Sequence, residues 1–369
     1  MSVLQPQPHL HGAKPALGRF AARSRAWIGG QFATLSPGAF AFVMATGVIS
    51  NTLLLEGSPA LADAMFLLNA VAYVWLVLGT LGRMLRHRSA LWADMTNPRL
   101  VFGFFTLVAG TDVLGVGLGL RGLMTAAVLL WVLALVLWLA LLYLAFGVLV
   151  MLDGARGAGV VHGGWLIAIV ATESLVVLGA LVAPSATGEF GRAAYMLLHM
   201  LWGVGLGLYA VYVTLFAYRI FFFEVVPDEL SPVLWVVMGA AAITVNAGAV
   251  LAVTDSGMPF LLGLRPVIEA VTLCLWGWAT WWIPLLVLLG FWKHGLRRVP
   301  LSYTPMLWGL VFPLGMYALA SLRLAGLAAF APLETVSHAM IWIALGVWVA
   351  TLVGLSGACW RSFRVQASP

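Results

Sequence analysis

The sequence predicts an all-α integral membrane protein of ten transmembrane helices, arranged as five helical hairpins, and three observations carry the prediction. Hydrophobic residues make up 63% of the 369 positions, charged residues only 9%, and the mean hydropathy is +1.03. A water-soluble domain has no way to cover that much apolar surface, so lipid must serve as solvent. Lipid admits only helices and closed barrels, because an unpaired backbone group there is too costly. The apolar runs decide between them: they are roughly 20 to 25 residues long, the length a helix needs to cross a hydrocarbon core about 30 Å thick. Barrel strands would be half as long and would alternate in polarity. The third observation is the placement of the basic residues at alternate breaks.

The first helix is expected over residues 36–55 and ends at Glu56-Gly57-Ser58-Pro59. The second occupies 61–85, and Thr96-Asn97-Pro98 marks the start of the third at 98–120. The fourth (122–150), fifth (161–183) and sixth (193–222) follow, and Val226-Pro227-Asp228 separates the sixth from the seventh at 232–254. The eighth (266–291) ends before Arg298-Val299-Pro300, and the ninth (304–329) and tenth (335–358) complete the set. Each break joins a proline or glycine to polar neighbours, the chemistry that stops a helix and starts a turn. Residues 1–35 read as a basic cytoplasmic leader, without the continuous apolar run and cleavage site of a signal peptide. Residues 36–358 form the ten-helix domain, and 359–369 a cytoplasmic tail. The two cysteines, Cys274 and Cys359, fall within or beside apolar segments and define neither a disulfide framework nor a thiolate metal site.

Threading these helices with the N-terminus inside puts fifteen of the nineteen Lys and Arg residues on the cytoplasmic side, and only Arg121, Arg192, Arg265 and Arg323 on the other. That is the bias of a correctly oriented multi-pass protein of a bacterial-type inner membrane, with both termini cytoplasmic. The net charge of +6 is explained by orientation and anionic headgroups, so the bilayer is the expected partner and nucleic acid is not.

The odd-numbered helices begin at intervals of roughly 60 to 70 residues, a repeat of five hairpins. Each carries polar or small residues at mid-depth, whereas the even helices are mostly Leu, Val, Trp and Ala. The midpoints are Thr46, Gly47 and Ser50; Thr111 and Asp112; Thr172, Glu173 and Ser174; Thr244, Asn246 and Gly248; and Pro313, Gly315 and Tyr317. Polar groups at membrane depth belong against a bundle interior or a wet cavity, so the odd helices are expected to ring a pathway. Its lining is Thr46, Gly47, Ser50, Thr111, Asp112, Thr172, Glu173, Thr244, Asn246 and Gly315. For any single one of these, close packing between helices is the competing role.

These residues resemble a known family, the tellurite-resistance and C4-dicarboxylate transporters, which include plant slow anion channels, malate permeases and sulfite exporters. Tyr303-Thr304-Pro305-Met306-Leu307-Trp308 and Val311-Phe312-Pro313-Leu314-Gly315-Met316-Tyr317-Ala318 are similar to that family's ninth-helix segment. Phe42-Val43-Met44-Ala45-Thr46-Gly47, Ala109-Gly110-Thr111-Asp112-Val113-Leu114-Gly115, Gly164-Trp165-Leu166 and Pro232-Val233-Leu234-Trp235 extend the likeness over most of the chain. The resemblance implies a quasi-fivefold arrangement around a central pore, a homotrimer, and a phenylalanine gate. The motif carries that gate onto Phe312, beside Pro313. The implied substrates are small inorganic anions, sulfite or organic acids such as C4-dicarboxylates.

Asp112 and Glu173 depart from a neutral anion pore, because an ionised carboxylate at mid-depth repels anions. Two readings stand: intramembrane carboxyls build proton relays, which makes both candidates for proton coupling, or each is hydrogen-bonded to a neighbouring helix or sits nearer a mouth. Arg323, toward the outer end of the ninth helix, has two readings, attracting anions into the mouth or reaching toward headgroups, and the second is the expectation. No nucleotide-binding loop, cofactor motif or metal-ligand spacing is present, and no enzymatic activity is expected. The alternative class is a haem-binding membrane redox protein using His162, His199 or His338, whose spacing lacks the pairing at matched depth that haem ligation needs.

Overall fold

The structure is a computed structural model that describes residue 30 and residues 32–151, 163–222 and 230–365. Most of the basic leader, Arg156, His162 and the Val226-Pro227-Asp228 break lie outside the described residues. Ten long helices follow in order: α1 (Ala41–Leu55), α2 (Pro59–Arg86), α3 (Phe105–Gly119), α4 (Met124–Met151), α5 (Leu166–Val182), α6 (Gly188–Phe222), α7 (Val236–Val253), α8 (Pro259–Phe291), α9 (Trp308–Ala328) and α10 (Pro332–Val365). Among the described residues there is no strand, and nine helical segments are long and apolar enough to cross a membrane. The exception is α1, which is apolar but has only 15 residues.

Several boundaries differ from expectation. α1 starts at Ala41 because residues 37–40 form a turn. α8 starts at Pro259 and continues through Pro266 and Pro284, each of which removes one backbone donor without ending the helix. α10 runs on to Val365, so most of the expected tail is helical. An additional short helix, Arg88–Met95, follows α2 and is tied back by Arg83, which pairs with Asp94 at 2.7 Å and donates to the Leu35 carbonyl at 2.9 Å.

The helices form two shells. The odd helices touch in a closed cycle, α1 to α3 to α5 to α7 to α9 and back to α1, and each even helix lies against its predecessor. In α3, α5, α7 and α9 between 72% and 89% of the membrane window is buried, against 22% to 33% in the even helices, which fixes which shell faces lipid. With no hydrophobic driving force between helices in lipid, close approach depends on small residues. α7 supplies them: Gly239 lies on the ring of Pro313, where an added Cβ would come within 2.7 Å of Cγ, and Gly248 sits against Thr272 and Trp202.

Short 3-10 turns lead into four odd helices, at Val101–Phe104, Gly163–Trp165, Pro232–Trp235 and Pro305–Leu307, each touching the next around the same end of the bundle. At the opposite end every odd helix turns into its even partner through one residue in the left-handed region. These are Gly57 (φ 83°), Gly122 (φ 82°), Gly188 (φ 61°), Gly257 (φ 62°) and Ala329 (φ 49°). Four of the five are glycine, which adopts this conformation without steric cost; alanine there is strained by about 1 kcal/mol. Ala329→Gly is therefore expected to stabilise the protein by ~0.5–1 kcal/mol and to raise its detergent-solution melting temperature, whereas an unchanged or lower Tm would contradict the strain.

Candidate functional site

Successive side chains on a helix point about 100° apart, so neighbouring polar residues on one odd helix cannot share a face. The structure sorts them into two sets.

The first set faces outward and binds the shells together. Trp348 Nε1 on α10 donates to Thr46 Oγ1 at 2.9 Å, and Trp138 Nε1 on α4 donates to Thr172 Oγ1 at 2.8 Å. Tyr73 on α2 and Thr111 have their hydroxyls 2.9 Å apart; Thr111 gives its own proton to the Leu107 carbonyl, so the phenol donates. Trp202 Nε1 on α6 donates to the Thr244 carbonyl at 3.2 Å, and Trp276 Nε1 on α8 to Ser321 Oγ at 2.9 Å. Five times, an aromatic donor from an even helix reaches the next odd helix of the cycle, α10 to α1 closing it. Ser50 donates to the Ala62 carbonyl on α2 at 2.7 Å. Gly47 faces Asn69 and Val113, and Gly315 faces Val48 and Ile49 on α1. Thr46, Gly47, Ser50, Thr111, Thr172, Thr244 and Gly315 are thus placed at helix–helix contacts and do not border the central cavity described below. Thr46→Val, which strands the Trp348 indole donor, is expected to cost ~1–3 kcal/mol of stability in a thermal melt and to leave anion selectivity unaltered.

The second set faces a narrow cavity on the axis of the inner shell, to which all five odd helices contribute. Its walls include Val48 and Asn51 of α1, Asp112 of α3, Ser174 of α5, Asn246 of α7 and Met316 of α9. Of the residues expected from the sequence, Asp112 and Asn246 border it; Asn51 and Ser174 complete its polar lining. Ser174 Oγ lies 2.7 Å from Asp112 Oδ2 and 2.8 Å from the Ala171 carbonyl, so its one proton is shared between two acceptors, and Asn51 Nδ2 donates to the Val113 carbonyl at 3.1 Å. Asp112 Oδ1, Asn51 Oδ1 and both polar atoms of Asn246 have no hydrogen-bond partner among the described residues. Orphaned polar atoms at membrane depth are costly; these four belong to residues of the cavity wall, while others, on Asn69, Glu173, Tyr212 and Thr272, lie away from it.

Phe312 lies four and seven residues before Met316 and Leu319, which both border the cavity, so it occupies the same face of α9 one turn nearer the N-terminal ends of the odd helices. The same step on α1, α3, α5 and α7 reaches Met44, Ala109, Val170 and Gly239, all buried, and leaves Phe312 as the bulkiest group of that layer. Pro313 has no N–H, which deprives the Gly309 carbonyl of its donor within the helix.

Glu173 is fully buried, but it faces α6 rather than the cavity: its carboxylate abuts Gly205, where any Cβ would collide with Oε1. Neither carboxylate oxygen has a hydrogen-bond partner among the described residues, and the nearby Thr244 hydroxyl donates to the Ala240 carbonyl instead. The haem alternative gains no support. His199 Nδ1 bonds the Tyr195 carbonyl of its own helix, and His338 sits with Glu56 and Trp342 at the turn end of α10.

A double shell of apolar helices around a narrow axial cavity, its lining mostly apolar with Asn51, Asp112, Ser174 and Asn246 among the wall residues, is the architecture of a multi-pass membrane protein. The model of the voltage-dependent anion channel family matches residues 34–356, and the chain belongs to that family. An uncharacterized membrane protein of Mycobacterium tuberculosis, present in two strains, is 40% identical over 149 residues, which are 40% of this chain and 75% of that protein. An uncharacterized transporter of Methanocaldococcus jannaschii is 24% identical over 326 residues, covering 85% of this chain and 92% of its own length.

Proposed function

We propose that the protein passes small anions or organic acids along the axis of the odd-helix ring, with Phe312 as the gate and Asp112 as a proton-coupling residue. The observation that carries this reading is the axial cavity, bordered by residues of all five odd helices and with Asn51, Asp112, Ser174 and Asn246 in its walls. Weak amide and hydroxyl contacts suit a permeating ion, since conduction requires that a solute both enter and leave. The cyclic contacts of the odd helices, the five left-handed turns and the five aromatic donors between shells support a quasi-fivefold array of ten spans, with α1 extended by its preceding turn.

Ten of the described Lys and Arg residues cluster at the end where the odd helices begin, against four at the other, which supports a cytoplasmic placement of both termini in the inner membrane. A homotrimer is carried over from the family resemblance, and native mass spectrometry in detergent tests it. Transport itself is tested by flux of chloride, nitrate, sulfite and malate from liposomes containing the purified protein. Voltage- or gradient-driven flux above that of empty vesicles is expected for at least one of them, and no flux of any would overturn the proposal.

A further inference from the structure

The mouth of the axial cavity at the turn end is electrostatically hostile to anions, because five parallel odd helices present their C-terminal, partially negative ends there. Four basic residues lie at that end. Three are paired with carboxylates at 2.9 Å: Arg121 with Asp63, Arg192 with Glu189, and Arg265 with Glu269. The fourth, Arg323, has neither an ion pair nor a hydrogen bond among the described residues, and its Nε is sealed from solvent. Of the other acids at that end, Glu56 is held by Ser337 and His338, Asp255 accepts from the Gly257 amide, and Glu334 is exposed on the first turn of α10.

Its position explains the lack of a partner. Arg323 follows Met316 by seven residues and Leu319 by four, so helical register sets it on the face of α9 that borders the cavity, one turn nearer the mouth.

We infer that Arg323 is the recognition residue of that mouth and selects oxyanions, carboxylates above all, over halides. The inference rests on the transport reading above. A guanidinium is a planar fork that matches two oxygens of one carboxylate or nitrate with parallel charge-assisted hydrogen bonds, whereas a spherical halide takes only the charge. An oxyanion held there supplies the partner that the folded chain omits and offsets the five negative helix ends. One turn further in, the cavity wall carries Asn246, whose Nδ2 has no partner among the described residues.

The test is saturation of malate, nitrate and chloride flux into liposomes for wild type, Arg323→Gln and Arg323→Lys. Arg323→Gln is expected to raise the half-saturating concentration of malate and nitrate about tenfold, the loss of one charge-assisted contact, with a smaller rise for chloride. Arg323→Lys, which keeps the charge without the fork, is expected to recover chloride but not malate. Half-saturation unchanged in Arg323→Gln, or malate fully recovered by lysine, would overturn the inference while leaving transport standing. Wild-type vesicles that pass no anion would overturn both.

Discussion

Phe312→Ala is expected to turn the reconstituted protein into an open anion pathway. Phe312 is 1% exposed and by helical register lies one turn from the cavity, at the level of Met44, Ala109, Val170 and Gly239. Truncating the ring leaves space where that layer held its largest side chain, and Gly239, which already rests on Pro313, has no side chain to fill it. If the ring costs a passing anion about 1.4 kcal/mol or more, flux rises by about tenfold or more. Voltage-clamped vesicles report this directly. A variant that folds with unaltered stability and unaltered flux would remove Phe312 from the pathway and assign it to packing alone.

Asp112→Asn carries the second large effect. A unit negative charge roughly 4 Å from a passing anion opposes it by about 4 kcal/mol at an effective dielectric near 20, which is about a thousandfold in passage. Wild-type flux is therefore expected to rise as pH falls and Asp112 takes up a proton, and to respond to an imposed proton gradient. The asparagine variant keeps an acceptor for Ser174 and removes the charge, so its flux is expected to be higher at neutral pH and flat with pH. Glu173→Gln is the control, because Glu173 abuts Gly205 on α6 and does not border the cavity. A flat wild-type profile, or a response abolished by Glu173→Gln and retained in Asp112→Asn, would move the coupling away from Asp112.

The architecture was largely readable from sequence because lipid imposes so few solutions. Run length, breakers and the basic residues placed the helices and their pairing, and the polar midpoints identified the inner shell. What composition could not supply was the direction of each side chain. Thr46, Thr111 and Thr172 mark the inner helices correctly, yet they point at Trp348, Tyr73 and Trp138 of the outer shell. A signal was available: Thr172 and Ser174 are about 200° apart on one helix, so they cannot both face a common axis. Tryptophans on the even helices, at odds with a purely lipid-facing role, were the complementary clue. Asn51 escaped notice because Thr46, Gly47 and Ser50 already filled the expected polar stretch of α1. The bonding of Arg323 was beyond the sequence altogether, since it depends on which carboxylates its three counterparts at that end take up.

The central claim is that anions travel along the axis of the inner shell and not between the hairpins. It is tested most directly by placing a single added cysteine at Ser174, on the cavity wall, or at Thr244, in the Phe312→Ala background, and treating vesicles with a bulky thiol reagent during anion efflux. Modification at position 174 is predicted to stop the efflux, with position 244 and the parent, which retains Cys274 and Cys359, unaffected. Efflux that persists with position 174 fully modified would contradict the axial pathway.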